Sequence, residues 1–131
     1  MAETARIAVV NHDSVFLRLI DRIFRADGHE AILCPSGTAA HEVIVQQQPD
    51  LIMIDTWLEA QEAGWALVQT LRLDEATRRI PILICSSDPA EVRRRAGQLE
   101  TMPGVDVLPK PFDPEALLAK VAQMTNGNSE G

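Results

Sequence analysis

Five short apolar runs alternate with longer amphipathic segments along the chain. They occupy residues 7–10, 31–34, 51–54, 82–85 and 105–108. The first, third and fourth are apolar without interruption, which is typical of strands covered on both faces in a parallel sheet. The second and fifth are less uniformly apolar, which indicates positions at the edges of that sheet.

Each predicted strand is followed by a predicted helix. Asp13 or Ser14 can cap the first helix and Gly28 can end it, while its apolar face combines Phe16, Leu19, Ile20, Ile23 and Phe24. The fourth and fifth helices begin with Asp-Pro, an N-cap followed by proline at the first helical position. This order predicts an α/β fold: a five-stranded parallel sheet, order 2-1-3-4-5, doubly wound with five helices and flavodoxin-like.

Length and composition indicate one globular domain. The 131 residues carry 12 basic against 19 acidic side chains, a net charge of −7, which disfavours a nucleic-acid-binding surface. No apolar run approaches the roughly 20 residues of a membrane span, so we expect a cytoplasmic domain without a membrane partner. Cys34 and Cys85 are interpreted as small strand hydrophobes. The domain is predicted over residues 4–124, and the polar residues 125–131 as a disordered tail or a cloning remnant.

Polar residues follow four of the five predicted strands. Asn11-His12-Asp13 follows the first, Asp55 the third, Ser86 the fourth and Lys110 the fifth. Ligands of such sheets bind beyond the carboxyl ends of the strands, where the strand order reverses. A carboxylate, a hydroxyl and an ammonium group at that edge suit a phosphoryl group. Each residue alone also has an ordinary explanation as a cap, a turn residue or a surface charge.

Three segments resemble the receiver domains of bacterial two-component response regulators, the CheY-like domains. They are Pro49 to Asp55, Pro81 to Ser87, and Lys110-Pro111-Phe112. The resemblance covers residues 4–124, and it implies that Asp55 is the phosphoacceptor, supplied by a histidine kinase or a phosphotransfer protein. It also implies that Ser86 and Lys110 bind the phosphoryl oxygens and that the Lys110–Pro111 peptide bond is cis.

The same resemblance implies a role in signalling. The domain would act on an output domain or a target protein, with homodimerisation as a further option, and would not itself be an enzyme. No output domain is visible in the sequence.

The metal-binding positions depart from the family pattern. Receivers usually carry two acidic residues after the first strand that help hold Mg²⁺, and Asn11 and His12 stand there instead. Magnesium prefers oxygen ligands, whereas imidazole favours zinc, nickel or copper. Asp13 follows one position later, and a one-residue step normally points a side chain to the other face. The resemblance thus leaves a weakened Mg²⁺ set of Asp55, Asp13, Asn11, His12 and the backbone carbonyl of Trp57.

Two further departures concern signal output. Glu59 stands where the family usually has proline, which predicts a different loop. Val107 replaces an aromatic residue that turns inward on activation, and valine cannot make that movement.

Weaker signals have ordinary interpretations. Arg93-Arg94-Arg95 is expected to be a solvated helix face, with Glu91 able to pair with Arg95, and a docking patch is the alternative. Trp57 is a candidate contact residue beside Asp55.

We therefore predict an atypical receiver that accepts a phosphoryl group on Asp55, or a degenerate version of one. The alternative is a phosphorylation-independent protein–protein interaction module. A flavodoxin-like cofactor binder is disfavoured because the loop after the first strand lacks a Gly or Ser/Thr cluster that could hold a phosphate.

Overall fold

The computed structural model describes residues 4–56, 58 and 63–129, with side chains up to residue 125. The strands are β1 Arg6–Val10, β2 Glu30–Cys34, β3 Leu51–Asp55, β4 Ile82–Ser86 and β5 Val105–Pro109. The helices are α1 Ser14–Ala26, α2 Gly37–Gln47, α3 Ala63–Leu73, α4 Pro89–Arg94, α5 Ala96–Glu100 and α6 Pro114–Ser129.

All five strands form one parallel sheet in the order β2-β1-β3-β4-β5. The predicted fold class and strand order are confirmed, including the edge positions of β2 and β5. Every residue of β3 and β4 is buried. Continuous apolar runs favour this placement because helices cover a central strand of a parallel sheet on both faces.

Two apolar clusters cover the two faces of the sheet. Ile52 and Ile54 of β3 belong to the cluster with Trp65, and Leu51 and Met53 belong to the other cluster. The alternation follows from the two-residue period of a strand. Trp65, Val68 and Leu71 form the buried face of α3, and each is at most 2% exposed.

The first helix buries a narrower face than its pattern predicted. Ile20 and Phe24 are buried, but the side chain of Leu19 is 52% exposed. Leu17 takes its place in the core. Leu19 instead lines an apolar groove beside Phe112.

Aspartate caps begin three of the helices, as the sequence predicted. The carboxylate of Asp13 accepts from the backbone N–H groups of Val15 and Phe16, at 3.0 and 3.3 Å. Asp88 and Asp113 accept in the same way at the starts of α4 and α6, at 3.0 and 2.7 Å. Each cap satisfies a backbone donor that has no partner within the helix.

The predicted fourth helix is divided, so the described chain has six helical segments instead of five. Arg95 separates α4 from α5 with φ −95° and ψ 3°, outside the helical region. Its guanidinium carbon lies 4.9 Å from the centre of the Trp65 ring on α3. A cation over an indole face is a favourable contact, and it belongs to the tertiary structure rather than to the helix.

The last helix, α6, continues to Ser129 and so runs into residues 125–131, which the sequence predicts as a disordered tail or a cloning remnant. No proline follows Pro114 in this segment, so nothing removes a backbone donor from the helix. Residues 130 and 131 lie outside the described residues, and the domain boundary at 124 stays a prediction. None of the described helices combines the length and the apolar character needed to cross a membrane.

Replacing Gly64 by alanine is expected to destabilise the protein by about 1–3 kcal/mol, the usual cost of overpacking. A Cβ at this position would lie 2.3 Å from the Asp55 carbonyl oxygen and 2.7 Å from the Thr56 Cα, both backbone atoms. The Gly97→Ala variant is the matched control, because a Cβ there meets nothing within 4 Å. Chemical denaturation measures both, and equal stabilities of the two variants would contradict the packing argument.

Both cysteine thiols are expected to resist alkylation in the native protein at pH 8. Burial raises the pKa of Cys34 to about 11 and that of Cys85 to about 12, so the reactive thiolate is scarce. Labelling with a thiol reagent, followed by mass measurement, should give two modifications in denaturant and none in native buffer. Rapid labelling of the native protein would refute this prediction.

Candidate functional site

A cleft of about 200 Å³ opens at the carboxyl edge of the sheet, where the order reverses between β1 and β3. It is lined by Asn11, His12, Asp13, Phe16, Asp55, Ser87 and Lys110. The cleft lies where the strand order predicts a ligand site. It joins residues from the ends of four strands and from the first turn of α1.

Asp55 is the last residue of β3, and its side chain is 11% exposed. Its Oδ2 atom accepts from the Asn11 amide nitrogen at 2.9 Å and forms an ion pair with the Lys110 ammonium group. A carboxylate this deeply buried needs such donors, because removing a charge from water costs several kcal/mol unless it is paired.

Two further contacts hold Lys110 in position. Its backbone N–H donates to the Ser86 carbonyl oxygen at 2.8 Å, which continues the β4–β5 pairing. Its ammonium nitrogen lies 4.7 Å from the centre of the Phe16 ring, which packs edge to face against Phe112. The Lys110–Pro111 peptide bond is cis. The ammonium group is therefore held over an aromatic face and directed at Asp55.

Asn11 presents its amide nitrogen to Asp55. The side chain is buried, and its oxygen accepts from the backbone N–H of Asp13 at 2.9 Å. Since that oxygen is engaged by a donor, the NH₂ group is the part that faces Asp55. A hydrogen-bond donor therefore lies against Asp55 Oδ2, where a metal ion would need an electron pair.

The remaining predicted metal ligands do not complete a Mg²⁺ site. The Asp13 carboxylate caps α1, and His12 lines the cleft as an exposed imidazole. Trp57 and Glu59 lie outside the described residues. Among the residues that the structure describes, no three His, Cys, Asp or Glu side chains converge as a metal-binding group. The donor set as arranged does not fit the oxygen shell that Mg²⁺ requires.

Ser86 is close to Asp55 in the fold, but its hydroxyl group is directed toward α4. Its Oγ atom accepts from the Asp88 backbone N–H at 3.1 Å and lies 3.3 Å from the Glu91 carboxylate oxygen. Ser87, the next residue, lines the cleft instead.

Neither the place of Ser87 in the cleft lining nor the burial of Glu91 beside Ser86 was predicted from the sequence. Asp88-Pro89-Ala90-Glu91 has the spacing of a capping box, which predicts an exposed first turn rather than a buried carboxylate. The sequence at the end of β4 also does not determine which of the two successive serines, Ser86 or Ser87, faces the cleft.

The sequence matches the response regulator receiver domain over residues 7–122. The chain belongs to this family. It is 30% identical over 125 residues to the phosphate regulon transcriptional regulatory protein PhoB of Pseudomonas aeruginosa, covering 95% of the chain and 53% of PhoB. It is 31% identical to the DNA-binding dual master transcriptional regulator RpaA of Synechocystis, covering 88% and 47%. The receiver thus spans about half the length of these two relatives.

Solved structures show the same fold. The activated N-terminal receiver domain of Klebsiella pneumoniae RstA aligns with a TM-score of 0.79 at 27% identity, covering 92% of this chain and 97% of that one. The chemotaxis response regulator CheY4 of Vibrio cholerae aligns with a TM-score of 0.80 at 20% identity, covering 93% and 99%.

Restoring the acidic pair is expected to restore metal binding. The double variant Asn11→Asp and His12→Asp should bind Mg²⁺ at least about tenfold more tightly than the native receiver, because it removes an amide donor and adds two carboxylates. Calorimetric titration with MgCl₂ measures the change.

The matched control is Gln46→Glu with Gln123→Glu, which adds the same charge at two exposed helical positions. An equal gain in both double variants would mean that net charge, rather than the cleft, attracts the ion.

Proposed function

We propose that this receiver is an atypical phosphoryl acceptor, in which Asp55 takes the group from a histidine kinase or a phosphotransfer protein. The observation that supports the proposal is the Lys110–Asp55 ion pair inside an open cleft at the carboxyl edge of the sheet. The carboxylate is the nucleophile and the ammonium is a counter-charge for the incoming group.

The reaction needs one bond change at phosphorus. An Asp55 carboxylate oxygen attacks, a P–O bond forms and the P–N bond to the donor imidazole breaks, leaving its electron pair on nitrogen. Lys110 then exchanges the carboxylate for the phosphoryl oxygens, and the Asn11 amide offers a second donor beside it. Lys110 supplies a positive charge and Asn11 a neutral hydrogen-bond donor, in place of the charge of a metal ion that the usual acidic pair would hold.

The phosphorylated receiver would act on an output domain or on a target protein. Relatives about twice as long support the first option, since PhoB is a transcriptional regulatory protein and RpaA a DNA-binding one. A cytoplasmic location, the absence of an enzymatic activity of its own and a possible homodimer remain expectations from the sequence.

A second candidate is a phosphorylation-independent interaction module. The observation that favours it is the saturation of Asp55 Oδ2 by two protein donors, a lysine ammonium and a buried amide. Such a carboxylate is already stabilised without a phosphoryl group, which lowers its reactivity as a nucleophile.

Incubation with acetyl phosphate, with and without Mg²⁺, tests the two candidates. The first candidate predicts a mass gain of one phosphoryl group that Asp55→Asn abolishes. Replacing Lys110 by methionine is expected to slow the gain by about 10²-fold or more, as for the loss of one charged donor to a reacting group.

The same measurement on the Asn11→Asp, His12→Asp variant, in which the acidic pair is restored, separates the two candidates when its mass gain is compared with that of the native receiver. A gain in both supports phosphoryl transfer to Asp55. A gain in the restored variant alone supports the interaction module for the native chain. A gain that survives Asp55→Asn would mean that another residue carries the phosphoryl group, which contradicts transfer to Asp55.

A further inference from the structure

Glu91 is a buried carboxylate outside the cleft. It lies in the middle of the short helix α4, and the whole residue is only 7% exposed. Within the described part of the chain, no basic side chain lies within ion-pair distance of it, and the Ser86 hydroxyl is its side-chain partner at 3.3 Å. A buried carboxylate is rarely found without a hydrogen-bond partner. The bond to Ser86 therefore largely determines the position of the Glu91 side chain.

The Ser86 hydroxyl has a single proton to donate. Its possible acceptors are the Glu91 carboxylate and the Asp88 carbonyl oxygen, each at 3.3 Å. Of these two acceptors, the Glu91 carboxylate is the one that lies within α4. The hydroxyl oxygen also accepts from the Asp88 N–H at 3.1 Å, which fixes its position in the turn between β4 and α4.

We propose that Glu91 is a positioning residue that holds the Ser86 hydroxyl toward α4 and away from Asp55; this rests on the proposed phosphoryl transfer. To bind a phosphoryl oxygen, Ser86 must direct its proton into the cleft. Glu91 then loses its donor while it is still buried, so the first turns of α4 must move to let the carboxylate reach water or another donor.

This link connects the site to α4 without an aromatic residue on β5. Val107 occupies β5 as a half-buried side chain opposite Ile84, and it has no polar atom and no ring to turn. The Ser86–Glu91 hydrogen bond runs instead directly from the end of β4 to the middle of α4. Exposed Arg93 and Arg94 follow Glu91, so a movement of this helix alters a charged surface.

A double-mutant cycle in the unphosphorylated receiver tests the hydrogen bond itself. Ser86→Ala and Glu91→Ala are each expected to raise the unfolding equilibrium constant, and the two effects should deviate from additivity by about fivefold, the weight of one net hydrogen bond. Glu91→Gln replaces Glu91→Ala in the cycle if the alanine variant does not fold. Additive effects within error would overturn the proposal.

A second cycle tests the positioning role through the rate of phosphoryl uptake from acetyl phosphate. Glu91→Gln keeps the side-chain shape but weakens the acceptor, so uptake should rise by about fivefold when Ser86 is present and remain unchanged when it is alanine. A purely structural role of Glu91 predicts the same change in both backgrounds, and that result would refute positioning. Glu100→Gln, an exposed position on α5, is the matched control and should leave the rate unchanged.

The two cycles separate this proposal from the proposed function. If the native receiver takes up no phosphoryl group, the proposed phosphoryl-acceptor function is wrong. The double-mutant cycle of unfolding then decides by itself whether Glu91 holds the Ser86 hydroxyl. If uptake occurs and depends on Asp55, both cycles apply, and a Ser86-independent effect of Glu91→Gln overturns the positioning role while phosphoryl transfer stands.

Discussion

The ion pair between Asp55 and Lys110 depends on the parallel sheet and organises the cleft around it. The two residues are 55 positions apart in the chain, and they meet because β3 and β5 flank β4 and all three strands end at the same edge. The register of the strands explains why the two residues meet: Asp55 lies opposite Cys85 on β4, and Cys85 lies opposite Leu108 on β5. A carboxylate that is largely buried requires a nearby cation. The strand arrangement brings Lys110 to Asp55, and the resulting ion pair in turn stabilises this arrangement of the strands.

The charge balance of this cleft differs from that of a metal-binding receiver. Asp55 contributes one negative charge to the pair, Lys110 one positive charge, and Asn11 adds a neutral donor where the family usually has an acid. The pair itself is neutral, and the other acid of the cleft lining, Asp13, is engaged as the cap of α1, so little negative charge is left to attract a divalent cation. The same neutrality is compatible with a phosphoryl group, whose own charge would face Lys110, and with a receiver that works through contacts alone.

The region around α4 is the part of the fold most closely tied to the site. Its N-terminal turn is held by the Asp88 cap, its middle by the buried Glu91, and its end by the change of direction at Arg95. The guanidinium group of Arg95 lies over Trp65 on α3, so the short helix is attached at one end to the carboxyl edge of the sheet and at the other to the core. A helix of six residues has little stability of its own, and its position follows from these tertiary contacts.

Much of the fold could be predicted from sequence because its signals are local. Uninterrupted apolar runs identified the central strands, Asp-Pro pairs identified two helix starts, and strand order followed from the alternation of strands and helices. The edge at which Asp55 and Lys110 meet followed as well, since it is a property of parallel topology rather than of side-chain detail.

Side-chain directions and helix breaks were decided only in the tertiary structure. The sequence could not say that the Ser86 hydroxyl turns to Glu91, that the Asn11 amide nitrogen faces Asp55, or that Arg95 interrupts a helix. Each depends on which donor, acceptor or ring lies nearby in space, and two of those partners come from distant parts of the chain. Apolar periodicity reports how much of a residue is buried, whereas the direction of a hydrogen bond depends on the particular atom that it meets.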